Sequence, residues 1–301
     1  MDLETYLSSG LVESGSELLL RLRCDSADIT MNDVYIDTWN AKTPGHYFFR
    51  HPDQGYWTAP RVRVLSVMPR DGAESSYSLN QNTRLQANSS IDTLINGLSS
   101  LTFFAVVRPN TGSGQKSFFT IGHPETMFPK FLFASDYQSS HPSNAFGFMV
   151  NPTGVFDNST LVRVLISGGE FALVSFRCNS ISGEKRARST QPFTTGVPRS
   201  STFTAEGTTA TALGPFDSTE SVDRSALYRP GSTFGDGNGG DIAELFLING
   251  ELSDTELFSV EYLLSDYWGI PLSLDHPYHD VNPFEVPKFW TSFIGTTEVT
   301  P

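Results

Sequence analysis

The chain predicts an all-β fold, an antiparallel β-sandwich closed by one short, capped C-terminal helix. Three observations carry this. Charged residues make up only 18% of the sequence, while Gly, Pro, Ser, Thr and Phe are abundant, a balance that favours short strands and long turns over helices. The apolar runs are short and read with period two, as in Leu101-Thr-Phe-Phe-Ala-Val-Val107. One stretch near the C-terminus is patterned instead for a buried strand, a tight turn and a helix.

That stretch is Gly240 to Gly269. Asp241 to Ile248 is apolar almost throughout, with Glu244 as its interior charge, as suits a strand covered on both faces. Asn249-Gly250 supplies the turn. Ser253 and Glu256 have the spacing of a capping box, and Leu252 and Leu257 stand at the staple positions on either side. Leu257, Val260, Leu264 and Tyr267/Trp268 then fall on one helical face, Gly269 suits a left-handed cap, and Pro271 prevents continuation.

Taken in order, residues 1–14 read as an amphipathic arm, with Leu3, Tyr6, Leu7, Leu11 and Val12 as its apolar side. Glu17 to Cys24 is the first strand. Leu98 to Pro109 is the clearest central strand, with Phe103, Ala105 and Val107 on one face and Phe104 and Val106 on the other. Further strands are predicted at 115–121, 146–150, 162–166 and 171–177. The segment 183–233 is polar and without clear period, and reads as a long loop of the kind that often carries binding. Within it Lys185-Arg186-Ala187-Arg188 reads as a solvated patch. From Leu272 the chain carries Pro277, Pro283 and Pro287 among Phe284, Phe289, Trp290 and Phe293, and is expected to run extended along a surface. The predicted organisation is therefore an arm at 1–14, one domain at 15–271 and a second arm at 272–301.

Several residues also carry a family resemblance. Gly240, Asp241, Ile242, Ala243 and Glu244, followed by Leu252, Ser253, Asp254 and Glu256 and then Tyr262, Leu263, Trp268 and Gly269, resemble the closing strand and helix of concanavalin A-like, laminin-G-like jelly-roll domains. Weaker likenesses lie at the opening strand, around Trp39, in Ser100 to Pro109 and in Ala172 to Arg177, so that residues 17 to 270 are covered. The family usually has Asp where this chain has Ala41. The resemblance implies a concanavalin A-like jelly roll and leaves the ligand open, since this fold carries lectins, glycosidases, adhesion modules and capsid proteins alike.

Charge and motifs exclude several function classes. A net charge of -13 opposes binding to phosphate backbones, so no nucleic-acid partner is expected. Nowhere do about 18 consecutive apolar residues occur, so no membrane insertion through a helix is expected, and Met1 to Tyr6 lacks the pattern of a secretion signal. Cys24 and Cys178 read as buried free thiols, or as one bridge if their strands are neighbours. Glycosidases of the resembled fold place carboxylates alternately on one strand. No such pattern occurs here, and Asp241 and Glu244, three apart, are expected on opposite faces. His276-Pro-Tyr-His279 lacks the helical spacing of a zinc site. The chain is accordingly expected not to be an enzyme, with no catalytic residue assigned and no cofactor, save one candidate Ca²⁺ held by Asp236, Asn238 and Asp241.

The binding residues picked from the sequence are Tyr56 and Trp57, because adjacent strand aromatics point to opposite faces and one must face outward. Trp39 is read as core. Leu3, Tyr6, Leu7, Phe284, Phe289, Trp290 and Phe293 are read as an interface for self-association or for other virion proteins. The function expected is that of a structural or adhesion protein on the surface of a bacteriophage virion, a head decoration, head fibre or receptor-binding protein. The alternative is a carbohydrate-binding module at a bacterial surface or secreted, with a cell-surface glycan as partner. A glycoside hydrolase with unfamiliar catalytic positions comes third.

Overall fold

The computed structural model describes residues 1–11, 15–25, 27–32, 35–49, 61–63, 76–79, 85–92, 94–95, 97–109, 116–121, 131–135, 145–150, 161–165, 171–179, 184–192, 198–204 and 240–284. In chain order the strands are β1 (Glu17–Arg23), β2 (Ile29–Asn32), β3 (Tyr35–Asn40), β4 (Tyr47–Phe49), β5 (Arg61–Arg63), β6 (Ser76–Leu79), β7 (Gln86–Ala87) and β8 (Ser100–Pro109). They continue as β9 (Lys116–Ile121), β10 (Phe131–Ser135), β11 (Ala145–Val150), β12 (Leu161–Leu165), β13 (Ala172–Asn179), β14 (Glu184–Pro192), β15 (Pro198–Thr204) and β16 (Gly240–Asn249). The helices are α1 (Leu3–Thr5), which runs on as a wider turn over Tyr6–Gly10, then α2 (Ser89–Asp92) and α3 (Asp254–Trp268).

Two antiparallel sheets face each other. Among the described residues the large one runs β15-β14-β13-β8-β16-β6-β5-β3-β4-β7, with β1 beside β16 and β2 beside β3, and the small one runs β12-β11-β10-β9. This is the expected all-β sandwich with its one capped C-terminal helix. Between the sheets lies a core rich in phenylalanine. Phe103 from β8 touches Phe119, Phe131, Phe133 and Phe148 at ring-centre distances of 5.2–5.9 Å. Each fully buried ring of this kind contributes roughly 1.5–3 kcal/mol.

The other face of the large sheet is covered by helices, and this positions the site described below. Phe104 and Val106 of β8, Leu173 of β13, and Phe246 and Ile248 of β16 meet Leu257, Val260, Leu264 and Trp268 of α3 in a second core. Phe104 and Phe246 stack across the strands at 4.9 Å. The alternation read from Leu101 to Val107 therefore separates the two cores, since Phe103, Ala105 and Val107 belong to the first. Helix α3 begins where its cap predicts: Ser253 Oγ accepts from Glu256 N–H, and the Glu256 carboxylate accepts from Ser253 N–H. It ends on Gly269 at φ 66°, where a side chain would be strained. Between β16 and α3, Thr102 Oγ1 donates to Gly250 O at 2.8 Å and accepts from Leu252 N–H at 3.1 Å, fixing the turn to β8.

Four expectations are corrected. Residues 1–11 are not a free arm: Leu3, Leu7 and Leu11 repeat every four residues along one helical stripe and are buried in the second core. Leu3 and Leu7 are therefore internal packing rather than an interface, because the exposed face of the sheet and α3 already give them an apolar partner. Half-buried Tyr6 leans on Phe284 at 5.9 Å, and Phe284 also meets Tyr262 at 6.2 Å, so the second arm lies against its own helix as far as residue 284. Phe289, Trp290 and Phe293 lie outside the described residues.

The segment from residue 183 is not a loop over its first part. Residues 184–192 and 198–204 pair as β14 and β15, and Lys185 and Ala187 are buried. The strand period is hidden because β14 carries buried Lys185 and Ser189 beside Ala187 on one side and Arg186 and Arg188 on the other, so neither side reads as apolar. Finally, Asp241 and Glu244 share a face. A β-bulge between Ile242 and Glu244 interrupts the alternation, so Ala243 and Glu244 both turn toward the helices while Ile242 and Leu245 remain in the core between the sheets.

Candidate functional site

The pairing of β13 with β14 places Arg177 opposite Arg186 and Ser175 opposite Arg188. Phe176 and Ala187 point into the core between the sheets, so by strand alternation Ser175, Arg177, Arg186 and Arg188 all stand on the helix side. The first turns of α3 pass over them. The result is a cleft of about 300 Å³ lined by Ser175, Arg177, Arg186, Arg188, Asp254, Leu257 and Phe258. It lies at the lower end of the size range of small-molecule sites.

Its walls are stiff, because strand pairing holds one and the capped helix the other. Arg177 donates from Nη1 to Leu252 O at 2.8 Å and from Nη2 to the Asp254 carboxylate. The Arg188 guanidinium lies over the Phe258 ring, 4.6 Å from its centre. Beneath, the buried Glu261 carboxylate accepts from Ser175 Oγ at 2.7 Å, faces Arg188 Nε at 3.2 Å and meets His276 Nε2 at 3.2 Å. His276 Nδ1 accepts the backbone N–H of Tyr278 at 3.0 Å. That leaves the ring proton on Nε2, which donates to Glu261. Ser175 and His276 thus touch opposite oxygens of one carboxylate, so the imidazole does not reach the hydroxyl and no Ser–His nucleophile is built here.

A second charged cluster lies on the same sheet face. Arg21 is 1% exposed. It donates from Nε to Glu244 Oε1 at 2.6 Å and from Nη1 to Glu4 Oε2 at 2.6 Å. Trp268 Nε1 donates to the other oxygen of Glu244 at 2.7 Å. Arg23 joins Glu4 and Asp25, and Lys42 joins Asp25 and Asp28. Burial works against the charge on Arg21, but Glu244 and Glu4 outweigh it and raise its pKa. Burial likewise disfavours the charged form of Asp25, yet the Ala27 N–H, Arg23 and Lys42 hold its pKa down to about 2. This cluster ties α1, β1, β16 and α3 together.

Of the residues picked from sequence, Tyr56 and Trp57 lie outside the described residues, as do Asp236 and Asn238. Asp241 is 1% exposed and its Oδ2 accepts from Arg108 Nε at 2.9 Å and Nη2 at 2.5 Å. Among the described residues no group of three or more His, Cys, Asp and Glu could hold a metal ion. Trp39 is core as read, fully buried with its Nε1 donating to Arg23 O at 3.0 Å. Cys24 and Cys178 are buried free thiols, and burial pushes the Cys178 thiol pKa up, away from reactivity. The arginine cleft is not apparent from the sequence, although Arg177 closes the strand predicted at 171–177, which runs on to Asn179, and Arg186 and Arg188 repeat at the strand period.

No protein-family model matches the sequence, and the comparison with curated proteins finds no match. Among solved structures, the chain is similar to an arabinofuranosidase complexed with arabinofuranosyl-alpha-1,2-xylobiose, with a TM-score of 0.58 and 10% identity over 89% of this chain. The chain spans 65% of that enzyme's length. Lower similarity, at a TM-score of 0.42 and 14% identity over 63% of this chain and 96% of the other, relates it to the CBM40 of a Ruminococcus gnavus IT-sialidase bound to alpha2,3 sialyllactose. A Trypanosoma rangeli sialidase matches with a TM-score of 0.44 and 9% identity over 82% of this chain and 32% of the other.

The likeness is one of fold. It corrects the expectation that the chain is not an enzyme. That expectation rests on a missing strand pattern of carboxylates, and the structures matched over 89% of the chain at a TM-score of 0.58 include arabinofuranosidases. At this identity the likeness carries over no catalytic residue.

Proposed function

We propose that this chain is a carbohydrate-recognising β-sandwich domain that takes its ligand in the cleft between β13–β14 and α3. The observation that carries the reading is the cleft itself: guanidinium donors and a hydroxyl beside the apolar wall of Leu257 and Phe258, all on rigid elements. Sugars need this combination, since their C–H faces pack on apolar groups while their hydroxyls need fixed polar partners. The arabinofuranosidase supports it to the extent that its fold works on a glycan.

The narrower reading, a component of a bacteriophage virion, rests on the lectin-like fold, the lack of a secretion-signal pattern, the acidic charge and apolar residues at both ends. Of those end residues, Leu3 and Leu7 are inside the domain and Phe284 is docked against α3, which weakens one of its grounds. A glycan array probed with the full chain tests the proposal. Binding to a defined glycan set, lost in Arg188→Gln but not in a Tyr47→Ala surface control, is expected. Binding that survives Arg188→Gln unchanged would remove the cleft from the account.

A further inference from the structure

The cleft does not present its charges evenly. The side chains of Arg177 and Arg188 are 8% and 13% exposed, whereas that of Asp254, which lines the same cleft, is 61% exposed. Among the described residues, one side chain bonds the Asp254 carboxylate: Arg177, whose Nη2 donates to Oδ1. Arg177 is itself fixed through Nη1 on Leu252 O at 2.8 Å. A carboxylate has two oxygens and about four lone-pair sites, so this pin orients the group and leaves most of its accepting capacity open. Asp254 is also the first residue of α3. Leu257 and Phe258 follow it three and four positions on, so the three stand on one helical face, and all of them line the cleft. The Arg188 guanidinium and the His276 ring, 4.6 Å and 5.3 Å from the centre of the Phe258 ring, hold that ring in the wall.

From this we infer that the cleft takes a neutral sugar ring, and that Asp254 selects it by accepting hydrogen bonds from two neighbouring hydroxyls. The inference rests on the carbohydrate reading and specifies its ligand class. A cleft of about 300 Å³ has room for one sugar ring. A ring that lays its C–H groups against Leu257 and Phe258 brings its hydroxyls to the carboxylate one helical turn away. Hydroxyls on adjacent carbons donate side by side, as the two oxygens of a carboxylate accept. Hydrogen bonds to an ionised acceptor are also stronger than those between neutral groups. An acidic sugar would instead set its own charge against Asp254. Arg177 and Arg188 act from behind, the first aiming the carboxylate and the second bracing the aromatic wall. Arg186, half-buried on the strand wall, supplies a donor for a sugar oxygen alongside the interaction it already has.

The experiment is calorimetric titration of the full chain with neutral arabinose-, xylose-, galactose- and glucose-based oligosaccharides, with their monodeoxy analogues, and with uronate-containing and sialyl oligosaccharides. The expected result is binding of a neutral sugar in preference to the acidic ones, weakened about tenfold or more by Asp254→Asn. Removing one of the hydroxyls that Asp254 accepts from should weaken binding to the unaltered chain by a similar factor. The same removal should leave binding to Asp254→Asn nearly unchanged, a coupling that a folding defect does not produce. Neutral-sugar binding that survives Asp254→Asn undiminished overturns the inference and leaves carbohydrate recognition intact. So does preference for an acidic oligosaccharide, or a loss on deoxygenation that is equal in the two proteins at every hydroxyl. Binding of no sugar in the panel overturns both.

Discussion

The helix-covered face of the large sheet carries two arginine clusters that differ in how their charge is met. At one, Arg21 and Arg23 receive four carboxylate contacts from Glu244, Glu4 and Asp25, and Trp268 completes the Glu244 carboxylate. At the other, Arg177 has one carboxylate and one carbonyl, and Arg188 has an aromatic ring and a carboxylate that its N–H bonds miss. Among the described residues, Arg21, Arg23 and Arg177 each keep one buried nitrogen without a hydrogen-bond partner and Arg188 keeps two, and Arg177 and Arg188 also line a cleft. The difference teaches that arginine on a sheet face is not one kind of residue. Where carboxylates come from several elements, it acts as a fastener. Where they are fewer and the packing leaves space, it lines a cleft instead.

The largest effect should come from breaking the fastener. Glu244→Ala leaves Arg21 buried beside only the solvent-reaching Glu4, and should cost about 3–5 kcal/mol. Urea unfolding reads this directly, and a loss under 1 kcal/mol would mean that the cluster does not tie the sheet to its helices. Next comes Leu7→Ala, expected to cost about 2–5 kcal/mol through the cavity it leaves in the second core. If Leu7→Ala instead left stability unchanged and altered only the oligomeric state seen by light scattering, residues 1–11 would be an interface after all.

A smaller effect sharpens the contrast by pH. Asp25 has its pKa lowered to about 2, so its contribution to stability is full above the ordinary carboxylate range and is lost as pH falls from about 4 toward 2. Asp25→Asn should therefore flatten the acid limb of the stability profile and leave binding at pH 7 untouched. The smallest effect is expected at the cap. Ser253→Ala should cost about 1 kcal/mol, since it removes one half of the capping box at the start of α3. Its binding should weaken modestly as well, because that first turn forms a wall of the cleft.

Much of this was legible in the sequence, and the reason is local. Strand β16 and helix α3 announce themselves because burial on both faces, a turn glycine, a staple and a cap all agree over thirty residues of chain. The two faces of β8 were readable for the same cause, strict alternation. The bulge at Ile242–Glu244 was not, because one extra residue in a strand leaves no trace in composition and reverses every facing after it. The cleft was not legible either. Arg186 and Arg188 read as a solvated patch, since only the pairing of β14 with β13 reveals Arg177 and Ser175 as their neighbours and α3 as their roof. Residues 1–11 gave an apolar stripe but not the surface it meets, which is formed by strands a hundred and more positions away.

The measurement that tests the central contrast most directly is an ¹⁵N correlation spectrum of the arginine Nε–H groups, recorded while an oligosaccharide drawn from the glycan array is titrated into the full chain. The account predicts that the Arg188 and Arg177 signals move with ligand while those of Arg21 and Arg23 stay in place. Movement at Arg21 with Arg188 unmoved would contradict it, and so would a titration in which none of the four responds.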